Sequence, residues 1–232
     1  MSKDLDNKYF IIINKDKIIF SCLNNENKIS FTKSHTLING LNNLLGDLEK
    51  FFNDKLIDIE KNLKDFIKKI YVIIDRDNSL SVNLAIKYNF KNEAISEKKI
   101  NDLISSLKYQ FTKYTYDQKI IHIFISKILI DDKENDLSSL IGPFNDFILE
   151  VKFECLKLEL VNNIKKLFSK YQISVEKILI ANHLRHSIQN YSENIVYKAN
   201  KVINGENLSE VRWIEKKIVE KDFFEKFFNF FK

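Results

Sequence analysis

Tyr9-Phe10-Ile11-Ile12-Ile13-Asn14-Lys15-Asp16-Lys17-Ile18-Ile19-Phe20-Ser21-Cys22 sets the class of fold. Two short runs of β-branched and aromatic residues flank Asn14-Lys15-Asp16, which suits a tight turn, so the stretch predicts a β-hairpin. A third short strand is expected at Lys28 to Phe31. Beyond it the period changes. Leu37, Leu41, Leu44, Leu45, Leu48, Phe51, Phe52, Leu56, Ile59, Leu63 and Phe66 recur at three and four, a helical spacing with a break expected near Asn53-Asp54. Ile70-Tyr71-Val72-Ile73-Ile74 is then a buried strand that stops at Asp75-Arg76-Asp77-Asn78. Leu80, Val82, Leu84, Ile86 and Tyr88 alternate as a half-buried antiparallel strand requires.

Further along, Ser96-Glu97-Lys98-Lys99 caps an amphipathic helix through Ile100, Leu103, Ile104, Leu107 and Phe111. Ile120 to Ile130 reads as a long strand before the acidic loop Asp131-Asp132-Lys133-Glu134, and Phe147 to Leu156 alternates again. Leu158 to Tyr171 is a helix, Val175 to Ala181 a strand, and Ser192 to Ile203 a helix that stops at Asn204-Gly205. Strands and helices mix without regular βαβ units. The expected class is α+β: a mainly antiparallel sheet with helices packed on one face, an N-terminal β-hairpin and a C-terminal amphipathic helix.

Composition removes several functions. No apolar run approaches the ~20 residues a spanning helix needs, and Met1-Ser2-Lys3-Asp4-Leu5-Asp6 is too polar for a secretory signal. A cytoplasmic setting is therefore expected. Lys+Arg 37 against Asp+Glu 32 is a mild, scattered excess without the stripe a nucleic-acid binder shows. Arginine is limited to Arg76, Arg185 and Arg212 while Lys, Ile and Asn abound, so the lysine-rich surface says little about partners. Cys22 and Cys155 each fall in an apolar stretch, as small hydrophobes do. The four glycines, Gly40, Gly46, Gly142 and Gly205, are too dispersed for a phosphate-cradling loop or a nucleophile elbow.

His183 and His186, three apart with Arg185 between them, read as a surface pair beside a strand end rather than a metal site. Asp75 and Asp77 read as a polar turn, and Asp131, Asp132, Glu134 and Asp136 as a solvated loop. No catalytic, cofactor or metal residue is assigned, and the chain is not expected to be an enzyme. The last segment is different. Phe223, Phe224, Phe227, Phe228, Phe230 and Phe231 fall within an arc of about 160° on a helix. Lys221, Lys226 and Lys232 supply cations around them, the pattern of a helix lying in a membrane interface. A helix this short binds weakly alone and needs a second anchor or oligomerisation.

The stretch from Ile70 to Ala181 resembles the strand-helix-strand-strand subdomain of FtsA, the actin-like bacterial division protein that tethers FtsZ filaments to the membrane. The resemblance lies in His122-Ile123-Phe124-Ile125-Ser126-Lys127-Ile128-Leu129-Ile130-Asp131, Leu140-Ile141-Gly142-Pro143 and Ile148-Leu149-Glu150-Val151-Lys152-Phe153. It continues in Val161-Asn162-Asn163-Ile164-Lys165-Lys166 and Ile173-Ser174-Val175-Glu176-Lys177-Ile178-Leu179-Ile180-Ala181, and Ser96-Glu97-Lys98-Lys99-Ile100 looks like the family's helix start. Phe10 to Leu23 looks like the first hairpin of the actin-like core. The departures are as specific. Ile13-Asn14-Lys15-Asp16-Lys17 stands where the family has a glycine-containing phosphate loop, and the second phosphate loop and adenosine motif are missing after Ala181.

The resemblance implies an incomplete actin-like fold divided as 1–66 (partial actin-like lobe), 67–190 (strand-helix-strand-strand subdomain), 191–217 (helix and linker) and 218–232 (membrane-targeting helix). It implies no ATP binding by the family's mechanism. The implied function is that of a non-enzymatic adaptor of the division septum, cytoplasmic and peripheral on the inner membrane. Its partners would be anionic lipid, division proteins and further copies of itself, but no nucleic acid. FtsZ binding is not carried over, because the subdomain that grips its tail has no counterpart. Two alternatives stand beside this reading, a pilus-assembly actin-like adaptor and a basic α+β nucleic-acid-binding module.

Overall fold

In the computed structural model the expected hairpin forms from β1 (Lys8–Ile13) and β2 (Lys17–Leu23), paired from Lys8 opposite Leu23 to Ile13 opposite Ile18. Its turn is held by Asn14, whose Oδ1 accepts from the Asp16 and Lys17 amides at 3.0 and 2.7 Å. The structure describes residues 7–37, 44–77, 79–135, 143–187, 194–207 and 210–211. The C-terminal helix expected over 218–232, with its six phenylalanines and three lysines, lies outside the described residues.

β3 (Ile29–Thr36) extends the hairpin and runs further than the sequence predicts. α1 (Leu44–Leu63) follows as one unbroken helix. The break expected at Asn53-Asp54 does not occur, because Asn53 lies on the exposed side and accepts from the Tyr171 hydroxyl at 2.7 Å. β4 (Lys69–Ile74) then joins β1 in parallel, and β9 (Ser174–Ile180) joins β4 in parallel, giving the order β3-β2-β1-β4-β9 with β2 alone reversed.

Between β4 and β9 the chain builds a second sheet from β5 (Leu80–Ala94), α2 (Glu97–Tyr114), β6 (Gln118–Ile130), β7 (Lys133–Glu134) and β8 (Pro143–Lys157), in the order β5-β8-β6-β7. All its pairings are antiparallel. Asp131 and Asp132, both at positive φ, make the β6–β7 turn. Ser96 caps α2 as expected, accepting from the Lys99 amide. The α+β class and the mainly antiparallel pairing expected from the sequence are present, divided over two sheets. β4, α3 (Leu158–Lys170) and β9 lie within or against the first sheet, and the segment inserted between β4 and α3 runs from β5 to β8.

The two sheets differ in burial, and the sequence pattern explains why. On one face of the first sheet Ile11, Ile13, Phe20, Val72 and Ile74 pack under α1 and α3; on the other, Phe10, Ile12, Ile73 and Leu179 pack under α4 (Ala181–Ser187) and α5 (Ile195–Asn204). Helices thus cover both faces, not the one face expected, and strands buried on both sides need unbroken apolar runs. The second sheet alternates because, among the described residues, a single helix, α2, covers it, over Phe147, Leu149, Val151 and Phe153. Its other face is wet, with Asn83 bonding Glu150 and Lys87 bonding Asp146. Phe52 is the aromatic centre of the first core, edge-on to Phe51 at 5.3 Å and to Phe168 at 5.0 Å. Phe52→Ala should cost about 3–5 kcal/mol, read as a lowered urea midpoint at unchanged slope; an effect within experimental error would remove Phe52 from that role.

Candidate functional site

Among the described residues, two places gather chemistry-bearing side chains. The first lies at the carboxyl ends of β1, β4 and β9, where open parallel sheets bind ligands. The Asp75 amide donates to Ile13 O at 2.8 Å, and the Arg76 Nε donates to Asn14 O at 3.1 Å. Arg185 on α4 grips Asp75 with both terminal nitrogens at 2.8 and 2.7 Å, and Lys15 in the hairpin turn pairs with Asp77. The polar turn expected at Asp75–Asp77 is therefore a braced one. Its carboxylates answer cations from the chain itself, and the hairpin turn stands close over the strand ends.

The second place is where β6 crosses the first sheet. His122 interrupts the apolar run of β6 and is 1% exposed. Its Nε2 accepts from the Ile180 amide on β9 at 3.0 Å, and its Nδ1 lies 2.9 Å from Glu210 Oε1. Because a backbone N–H occupies the Nε2 lone pair, Nδ1 carries the proton and donates to Glu210. His183 on α4 stacks on His122 with ring centroids 4.1 Å apart and reaches Glu210 Oε2 from Nε2 at 3.4 Å, while Lys177 Nζ lies 3.4 Å from Oε1. His183 is 4% exposed, so the surface reading of the His183/His186 pair holds for His186 alone.

His122, His183 and Glu210 have donor atoms within 4.8 Å of one another, a spacing open to a metal ion. The arrangement fits a proton better than a cation. To ligate through Nδ1, His122 would have to move its proton to Nε2, against the Ile180 amide, and Lys177 already neutralises Glu210. Burial pushes His122 down to about 4, more than the Glu210 bond raises it. Burial opposes ionisation of Glu210, but hydrogen bonds from His122 and His183 and the Lys177 charge outweigh it and hold the carboxyl far below its ordinary range. Both buried cysteines are pushed up by desolvation, Cys155 to about 12, and have no reactive character.

Glu210 also serves as backbone. It bridges to Phe124 on the outer edge of β6, and the Val211 amide donates to Ile123 O at 2.8 Å. Beside this short pairing runs an open groove of about 870 Å³, between the end of α2, the start of β6 and residues 210–211. Ile121 and Ile123 give it an apolar wall and Lys119 gives it positive charge, while Lys177 in its lining is paired with Glu210. Tyr116 stands at its mouth, 85% exposed, with Tyr114 exposed near it. Sequence reasoning missed the cluster because its members lie 61 and 27 residues apart; the one signal was a histidine inside the β6 run. Among the described residues no helix is long and apolar enough to cross a membrane.

No protein family matches this sequence, and no curated protein matches it. Solved structures with a similar course of chain include the PilM–PilN type IV pilus biogenesis complex, at 6% identity and a TM-score of 0.47, covering 76% of this chain and 48% of that one. The cytoplasmic domain of EpsL, an inner-membrane component of the type II secretion system of Vibrio cholerae, is similar at 7% identity and a TM-score of 0.41, covering 77% of this chain and 59% of that one. A Bacteroides thetaiotaomicron protein with an actin-like ATPase fold and unknown function is similar at 10% identity and a TM-score of 0.36, covering 78% of this chain and 55% of that one. This chain thus spans roughly half to three-fifths of the chains it matches.

The His122 environment sets a pH dependence. Unfolded, the imidazole takes a proton near 6.5; folded, it does so only near 4. Stability is therefore complete above pH 6.5 and falls as pH drops from 6.5 to 4, by roughly tenfold in the folding equilibrium per pH unit. His122→Phe should lower stability at pH 7, by stranding the Ile180 amide and Glu210, and should also flatten this slope. Urea melts across the window test both, and an unchanged slope in the variant would refute the assignment.

Proposed function

We propose that this chain is a reduced, non-enzymatic actin-like adaptor that works by binding at a membrane. The observation carrying this reading is the contrast between the two places described above. The strand ends where an actin-like lobe would cradle phosphate are filled by Arg185–Asp75, Lys15–Asp77 and Arg76 on Asn14, whereas the groove along β6 is open. The order β3-β2-β1-β4-β9 with β2 alone reversed, and a β5-α2-β6-β8 insert between β4 and β9, support the actin-like assignment. The groove offers a strand edge, an apolar wall and lysines, which suit an extended, acidic-apolar segment of a partner protein.

In this reading Phe223, Phe224, Phe227, Phe228, Phe230 and Phe231 insert at the acyl boundary, and Lys221, Lys226 and Lys232 meet anionic headgroups on the inner face of the cytoplasmic membrane. The motif order over Ile70–Ala181 favours cell division as the setting. Assembly of a pilus is the second setting, since the resemblance of the inserted module extends to actin-like pilus proteins.

Flotation with anionic liposomes tests the membrane half: the full chain should float, and a chain truncated before Ile218 should not. Equal behaviour of the two forms would sink the tether. A photo-crosslinking amino acid in place of Tyr116 tests the groove in cells. Its captured partner should be an inner-membrane division protein or, for the second setting, a pilus component; no adduct would remove the groove as a docking site.

A further inference from the structure

β5 lies at the end of the second sheet, and its outer edge carries no strand among the described residues. Its register with β8 runs unbroken from Leu80 opposite Cys155 to Asn89 opposite Asp146. Every second residue of this ten-residue stretch therefore turns its backbone N–H and C=O to the open edge. Edges of this kind are ordinarily blunted by proline, a bulge or charge. Over 80–90 there is no proline and a single cation, Lys87, which turns to Asp146 on the neighbouring strand at 3.0 Å. The faces are sorted: Val82, Leu84, Ile86 and Tyr88 lie half-buried against the second core, with Leu80 39% exposed at the end of the row. Ser81, Asn83, Ala85, Lys87 and Asn89 are exposed on the other side.

We propose that β5 pairs with β5 of a second copy, antiparallel about a two-fold axis at Ala85, joining two four-stranded sheets into one of eight strands. Directly opposed residues in an antiparallel pair share a face. On the core side this sets Val82 against Tyr88, Leu84 against Ile86, and Leu80 against Phe90. On the wet side Ser81 meets Asn89, Asn83 meets Lys87, and Ala85 meets its own copy. Every core-side pair is apolar and no like charges are opposed, whereas a two-fold at Lys87 would set cation on cation. This centre also uses the whole unbroken register. The contact is isologous and closes at two copies. The β6 groove lies at the opposite edge of the sheet, so both surfaces can be filled together, and the pairing stands apart from the adaptor reading.

Sedimentation velocity of the full chain over a concentration series should give a monomer–dimer equilibrium. Ala85 is exposed, so Ala85→Lys and Ala85→Glu should keep the circular dichroism of the parent. Each alone should lose the dimer, and an equimolar mixture should regain it. Ala85→Cys should form a disulfide-linked dimer on oxidation while the parent forms none, because Cys22 and Cys155 are both fully buried. A parent that stays monomeric throughout, a dimer that survives Ala85→Lys, or an Ala85→Cys variant that does not cross-link would each overturn the proposal.

Discussion

One imidazole sits where the two sheets of this protein meet. Among the described residues they share no strand, and the chain passes between them at β4–β5, at β8–α3 and again where residues 210–211 reach β6 after α5. His122, rising from β6, accepts from a backbone amide of β9 and donates to Glu210, which also takes His183 from α4 and Lys177 from β9. Leaving either side of such a buried bond without its partner costs about 1–3 kcal/mol. The clasp therefore fixes the second sheet against the first and fastens residues 210–211 to the edge of β6. The groove runs beside this fastening, between the end of α2 and the start of β6.

Much of the fold could be read locally. Asn14-Lys15-Asp16 announced its turn, Ser96 its cap and Gly205 its helix stop, at φ 90°. Each is decided by residues within three or four positions. Alternation gave β5 and β8 for the same reason: a sheet covered on one face writes its burial into every second residue. The partition into two sheets was not legible, because Ile70-Tyr71-Val72-Ile73-Ile74 reads as buried without saying which strands flank it. Helices on both faces of the first sheet are consistent with its unbroken isoleucine runs, yet the same runs would also suit one covered face in a biased composition. The buried cluster escaped because Glu210 is one acid among 32 until the fold carries it to His122.

The molecule also handles its strand edges unevenly. β9, at one end of the first sheet, gives its Ile180 amide to His122, and β3 at the other end is largely polar and exposed. In the second sheet β7 covers only the last residues of β6, and β5 has no cover among the described residues. Backbone pairing is thus saturated in the first sheet's interior and available along the second. The closed strand ends follow the same division. At the ends of β1, β4 and β9 the carboxylates of Asp75 and Asp77 are paired internally with Arg185 and Lys15.

The insertion has a consequence for how the chain is made. β9 completes the first sheet by pairing with β4, from Lys69 opposite Ser174, about 100 residues later in the sequence. At ~5–20 residues per second, a ribosome takes roughly 5–20 s to cover that distance. Throughout that interval Val72, Ile73 and Ile74 have β1 on one side and nothing on the other. The second sheet needs no residue beyond its own, so it can close while the first still waits for its last strand. The segment that interrupts the sheet is thus the first to be finished, and a nascent chain stalled before Ser174 offers the bare edge of β4 to any chaperone near the exit tunnel.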